Sequence, residues 1–225
     1  MRYLSVRLAA VEPTYRVIIS HQHQFIFFAV PKTGTHSIRQ ALRPHLGADD
    51  EEQVRLFEQH SFSNPELKAV GHGHLSVAQV KPVLGEDIFE GYFKFAFVRN
   101  PWDRFVSFCA FISRATGQFE QNPHGFMVQM IHSPPPLQQM LYQPQSALLI
   151  DADGRLAMDF VGHVETMERD YKSICERLKL QSQPLEQVNR SRHRPYVDYY
   201  TPQLRDLIAT RYRQDIEMFG YRFDD

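Results

Sequence analysis

The sequence predicts a single α/β domain, a central parallel β-sheet flanked by helices. Two short apolar runs and the residues that follow them carry this reading. Phe25-Ile26-Phe27-Phe28-Ala29-Val30 and Phe93-Lys94-Phe95-Ala96-Phe97-Val98 are aromatic and β-branched, and nearly continuous in apolarity. Such runs fit strands covered on both faces, as parallel sheets are. Each is followed at once by a helix-start signal, so strand and helix alternate along the chain. At 225 residues the chain is the size of one domain, read as 1–225 with its core at about 24–223.

The elements follow in order. After Val30 come Pro31-Lys32-Thr33-Gly34-Thr35, then a helix expected over 36–43 and stopped by Pro44. After the second strand, Asn100 suits the N-cap, Pro101 the first helical position and Asp103 the positive end of the helix dipole, with the helix running through Phe111. Residues 113–146 are rich in proline and show no sustained period, so an irregular segment with one short helix near 124–131 is expected. Asp151-Ala152-Asp153-Gly154 reads as the turn of a hairpin between 147–150 and 155–161. Met167, Tyr171, Ile174, Cys175 and Leu178 recur at helical spacing. A last helix starts at Thr201-Pro202 and ends before Gly220.

Composition narrows the function classes. Twenty-five Lys and Arg against 26 Asp and Glu give a net charge of −1, which speaks against a dedicated nucleic-acid binder or a polybasic membrane anchor. The longest apolar run is far too short to span a bilayer, and Arg2 and Arg7 interrupt any signal-peptide core. Two cysteines, Cys109 and Cys175, sit among apolar neighbours, as buried reduced thiols do. A cytoplasmic location is the expectation.

Two motifs carry chemistry. In PKTGTHS the buried strand feeds a helix whose first amides have no internal partners and whose dipole attracts an anion. Gly34 lets the backbone approach a phosphate, Lys32 adds a mobile cation, and Thr33, Thr35 and Ser37 add hydroxyls. An ordinary capped helix would use the same hydroxyls. The loop is not of Walker A type, since its lysine precedes the glycine and no upstream glycine is present. That departure argues against a magnesium nucleotide hydrolase or kinase, the rival enzyme class. In FVRNPWDRFVS, Arg99 stands at the carboxyl end of the second strand, where ligands of α/β sheets bind, and its planar fork suits a phosphate. Arg104 and Ser107 share one helix face. The alternative is an Arg99 paired with a structural acid and a Ser107 in solvent.

Taken together, PKTGTHS and KFAFVRNPWDRFVS resemble the two signatures of sulfotransferases, in the wording of the carbohydrate-type branch (sulfotransferase family 2-like) and its bacterial members. The segments GHLSVAQVKPVLG, FVGHVETMERDYKSICERL, NRSRHRPYVDYY and DIEMFGYRF are similar to the same group, so the resemblance covers about residues 24–223. It implies 3′-phosphoadenosine 5′-phosphosulfate as donor, no metal, and an acceptor hydroxyl on a sugar or glycoconjugate. Lys32, Gly34, Thr35, His36 and Ser37 would line the 5′-phosphosulfate subsite, with Thr33 in the same loop; Arg99 and Ser107 would hold the 3′-phosphate. His36 departs from the Thr or Gly common in this loop.

In-line transfer needs a base for the acceptor proton. Among 11 histidines, His72 and His74 in AVGHGHLS are the candidates, with His36 a third, and the resemblance favours His74; two histidines at the spacing of 72 and 74 could also ligate a metal. The run 189–194 holds three arginines, Arg192 among them, with Tyr196 close by. It reads either as a cover for the nucleotide or acceptor, or as a solvated basic turn. Trp102 reads as core. Residues 113–146 are the expected acceptor wall. A non-catalytic binder of adenosine 3′,5′-bisphosphate is the rival outside enzymes.

Overall fold

The structure, a computed structural model, describes residues 17–52, 65–69, 74–134, 139–186 and 194–225. The expectations for His72 and Arg192 lie outside the described residues. The elements are β1 (Ile18–Ser20), β2 (Phe25–Phe28), α1 (Thr35–Leu42), β3 (Glu51–Glu52), α2 (Pro65–Ala69), α3 (Val77–Leu84), α4 (Glu86–Gly91), β4 (Phe93–Val98), α5 (Pro101–Ile112), α6 (Gln118–Gln121), α7 (Pro123–His132), α8 (Gln139–Tyr142), α9 (Ser146–Leu149), β5 (Phe160–His163), α10 (Met167–Leu178), α11 (Pro202–Arg211) and α12 (Arg213–Phe219).

Five strands form one sheet in the order β3-β1-β2-β4-β5. Its centre is parallel: Phe27 pairs with Phe95 across β2 and β4, and Phe97 with Gly162 across β4 and β5. The sheet is nevertheless mixed, because β1 runs antiparallel to both β2 and β3. The turn His21–Gln24 is too short for the crossover that a parallel pair requires, so β1 and β2 can only form a hairpin.

The alternation of side chains along the strands divides the core. Ile26, Phe28, Ala96 and Val98 face one layer, shared with Val77, Val80, Phe89 and Leu149. Phe25, Phe27, Phe95 and Phe97 face the other, packed on Ile38 and Leu42 of α1 and on Tyr171 and Ile174 of α10. A third cluster lies away from the sheet, where Phe105, Phe108, Phe126, Met127, Leu204 and Ile208 join α5 to α7 and α11.

The caps at Asn100 and Thr201 form as expected: their side chains accept from the amides of Trp102 and Leu204, with Pro101 and Pro202 at the first helical positions. Three expectations need correction. Among the described residues of 113–146, α7 is the expected short helix, started by Pro123 after the Asn122 cap, but α6 and α8 add single turns with no period to read. The hairpin around 151–154 shrinks to one bridge, Ile150 with Leu156. Residues 146–149 are helical, and β5 joins β4 in parallel. The last helix is split at Tyr212, whose ring is buried and whose hydroxyl donates to the Tyr142 carbonyl at 2.8 Å.

Candidate active site

Three parallel strands deliver their carboxyl ends to the same end of the sheet. The first is β2. Beyond it the chain reverses through two left-handed residues, Lys32 (φ 67°) and Gly34 (φ 68°), and α1 begins at Thr35. Gly34 is exposed, so the helix start is open at its backbone. A β-carbon on residue 34 would lie 2.5 Å from the terminal carbon of Met167, the first residue of α10. The Thr33 hydroxyl is fully buried and donates to the Val30 carbonyl at 2.9 Å, which fixes the loop's own shape. Thr35 and Ser37 are buried, and His36 is half-buried in the first helical turn.

The second is β4. At its end the Arg99 guanidinium is held by Asp103, one helical turn on, with Nε and Nη2 each 2.7 Å from the same carboxylate oxygen. Asp103 thus sits in the first turn of α5 and is also the acid that pairs with Arg99, as the alternative reading of Arg99 expected. Arg99 Nη1 also reaches the Lys32 carbonyl at 3.4 Å. Lys32 in turn places its ammonium 4.2 Å over the Phe111 ring in the last turn of α5. The two sequence motifs are thus one structural unit. Ser107 is only 6 % exposed on α5.

Arg104 is taken up by backbone carbonyls. It is buried, and its three nitrogens donate to the carbonyls of Pro31 (3.0 Å), Gln143 (3.1 Å) and Leu141 (3.2 Å). Burial lowers its pKa. Even so, a guanidinium stays charged in a protein. No carboxylate stands within ion-pair distance of it among the described residues, so a fixed positive charge underlies the start of the loop.

The third is β5, which ends at His163 and is followed by Val164, Glu165 and Thr166. Glu165 accepts the Asn100 amide at 2.7 Å and the Tyr221 hydroxyl at 3.2 Å. Asp170 accepts the His163 amide and the Thr166 hydroxyl. Burial opposes the Asp170 charge, but these bonds together with Arg169 outweigh it and hold the carboxyl below its ordinary range.

His74 is buried beside the first motif. Its Nδ1 lies 2.7 Å from the Ala29 carbonyl, which can only accept, so Nδ1 carries a proton and donates it there. Tyr196 lies against the end of the chain. Its hydroxyl accepts from Asn100 Nδ2 and donates to the carbonyls of Phe223 and Asp225, and burial with nearby acids pushes its pKa up to about 12. Trp102 is core, its indole N–H bonded to the Arg205 carbonyl. No group of three metal-ligating side chains occurs among the described residues. No described helix is long and apolar enough to cross a membrane.

The residues that sequence reading missed are Gln145, Glu165, Met167 and Asp215. Each acts through a partner far along the chain, and only the ordering of a buried polar residue after Pro144 could have hinted at Gln145. No curated protein and no solved structure matches the chain. A model of the sulfotransferase family does match, over residues 15–222, and so takes in both motifs and all three strand ends. The chain belongs to the sulfotransferase family.

Proposed function

We propose that this protein transfers a sulfuryl group from 3′-phosphoadenosine 5′-phosphosulfate to an acceptor hydroxyl on a carbohydrate or glycoconjugate. The observation that carries the reading is the union of the two anion motifs, tied at Arg99 Nη1 to the Lys32 carbonyl. The donor supplies an activated sulfuryl group whose leaving group is the nucleotide 5′-phosphate.

The chain's own residues suit such a ligand. The exposed Gly34 and the first amides of α1 form a backbone cradle for the 5′ anion, with Lys32 to neutralise charge that grows on the leaving side. Thr35, His36 and Ser37 complete the first turn. Arg99 and the buried Ser107 hydroxyl offer a fork and a donor for the 3′-phosphate. His74 Nε2 takes the acceptor proton, and the Ala29 carbonyl stabilises the imidazolium that forms. Residues 113–146 form the acceptor wall in this reading, supported by their packing along α5. The sugar class rests on the resemblance in the two motifs, and a cytoplasmic site is supported by the two buried free thiols.

Calorimetric titration with adenosine 3′,5′-bisphosphate, 5′-AMP and ATP, each with and without magnesium, tests the donor site. Tight, magnesium-independent binding that demands the 3′-phosphate is the expected result. Preference for magnesium-ATP would move the protein to the kinases, and binding of none would reduce both motifs to scaffold. Nucleotide binding without sulfuryl transfer to any of a panel of glycans would favour a non-catalytic binder.

A further inference from the structure

Where β4 ends, the backbone of Arg99 leaves the ladder and needs new partners. The side-chain amide of Gln145 supplies both. Its Oε1 accepts the Arg99 N–H at 2.9 Å, and its Nε2 donates to the Arg99 carbonyl at 2.9 Å. One residue on, the Asn100 N–H is held by Glu165 at 2.7 Å. The short segment that aims the guanidinium is therefore pinned from two sides.

Gln145 is itself immobilised. It is fully buried, and its own N–H donates to Asp215 Oδ2 at 2.8 Å. The same oxygen lies 3.4 Å from Nε2, so two acceptors face the nitrogen end of the amide and a flipped amide would set oxygen against oxygen. Asp215, fully buried in α12, takes the Ser146 amide at 2.8 Å and the Ser146 hydroxyl at 2.7 Å on its other oxygen. Arg104 clamps the preceding turn through the carbonyls of Leu141 and Gln143 and binds Pro31 with its third nitrogen. One strip of chain, 141–146, thereby spans from the first motif to the second.

A buried carboxylate and a buried amide are costly to desolvate, and an apolar contact would fill the same space at less expense. What they add is direction. We propose that Gln145, braced by Asp215, is a positioning residue for the donor site. By holding the Arg99 backbone as a neighbouring strand would, it fixes where the guanidinium meets the nucleotide's 3′-phosphate. The proposal rests on the donor reading given above.

Three variants test it: Gln145→Glu, which sets an oxygen against the Arg99 carbonyl and Asp215; Gln145→Met, which keeps bulk without polar atoms; and Gln145→Asn, a milder change that keeps the amide but shortens its reach. Affinities for adenosine 3′,5′-bisphosphate and 5′-AMP are measured on every variant whose circular dichroism matches the parent. The expected result is a loss of tenfold or more in the preference for the 3′-phosphorylated nucleotide, the size of one misplaced charge-assisted bond. A folded variant with the parent's preference overturns the proposal, whereas a general loss of packing would weaken both nucleotides alike. If the parent itself does not distinguish the two nucleotides, the donor reading fails. Hydrogen exchange at the Arg99 amide then decides on Gln145: faster exchange in the variants supports its hold on that backbone, and unchanged exchange overturns it.

Discussion

The terminal carbon of Met167 occupies the space that a side chain on residue 34 would enter, 2.5 Å from a β-carbon built there. Gly34 is thus required twice, by its left-handed backbone and by the start of α10. Gly34→Ala should destabilise the fold by about 1–2 kcal/mol from backbone strain alone, read by urea denaturation. Adding Met167→Ala should recover the steric part and leave the backbone part. A Gly34→Ala chain as stable as the parent would mean that the loop readily takes another shape.

His74→Ala should lower turnover at least a hundredfold while affinity for adenosine 3′,5′-bisphosphate changes little. Turnover is measured with whichever acceptor a glycan panel identifies, and affinity by calorimetry. Unchanged turnover would remove His74 from the mechanism.

Arg99→Ala should weaken adenosine 3′,5′-bisphosphate roughly ten- to a hundredfold, since a charge-assisted bond contributes about 1.5–3 kcal/mol. Binding of 5′-AMP should be nearly unaffected. Equal weakening of both would mean that Arg99 does not read the 3′-phosphate.

Arg104→Met removes the donor for three carbonyls, at Pro31, Leu141 and Gln143. The expected cost is about 3 kcal/mol, because buried acceptors are left without partners. Arg104→Lys, able to reach fewer of them, should fall between. Equilibrium denaturation of the three chains checks the order.

Asp170 has its carboxyl depressed in the folded chain. Its contribution is complete above the unfolded value, near about 4, and is lost as pH falls through the lower folded value. Melting temperature followed from about pH 6 to pH 2 should therefore drop less steeply in Asp170→Asn than in the parent. Parallel curves would assign the acid sensitivity to other carboxylates.

What the sequence disclosed was whatever depends on near neighbours. The strand at 93–98, the helix at 167–178 and the caps at Asn100 and Thr201 are all written within a few residues, and all stand where expected. The two anion motifs were legible for the same reason. The antiparallel β1 and two-residue β3 were not, because their pairing is decided by which edge is left over once β2 and β4 have met. The short helix near 124–131 was legible and is α7, whereas α6, α8 and α9 escaped because single turns carry no periodicity. Arg104 was read only as sharing a face with Ser107: a helix face says which residues point together, not whether carbonyls from 31, 141 and 143 will converge there. Gln145 and Asp215, 70 residues apart, could not be paired by any local pattern.

The loop that follows β2 looks like a local device, a strand and a helix some twenty residues long. Yet Arg99 is braced by Gln145, Gln145 by Asp215, and Asn100 by the carbonyl of Arg222. A chain emerging from the ribosome can form β2 and α1 early, but the recognition geometry waits until α12 has docked. Truncation before residue 215 should leave a protein that holds much of its sheet and has lost its grip on the nucleotide, and ligand added during refolding should bind only in the last phase.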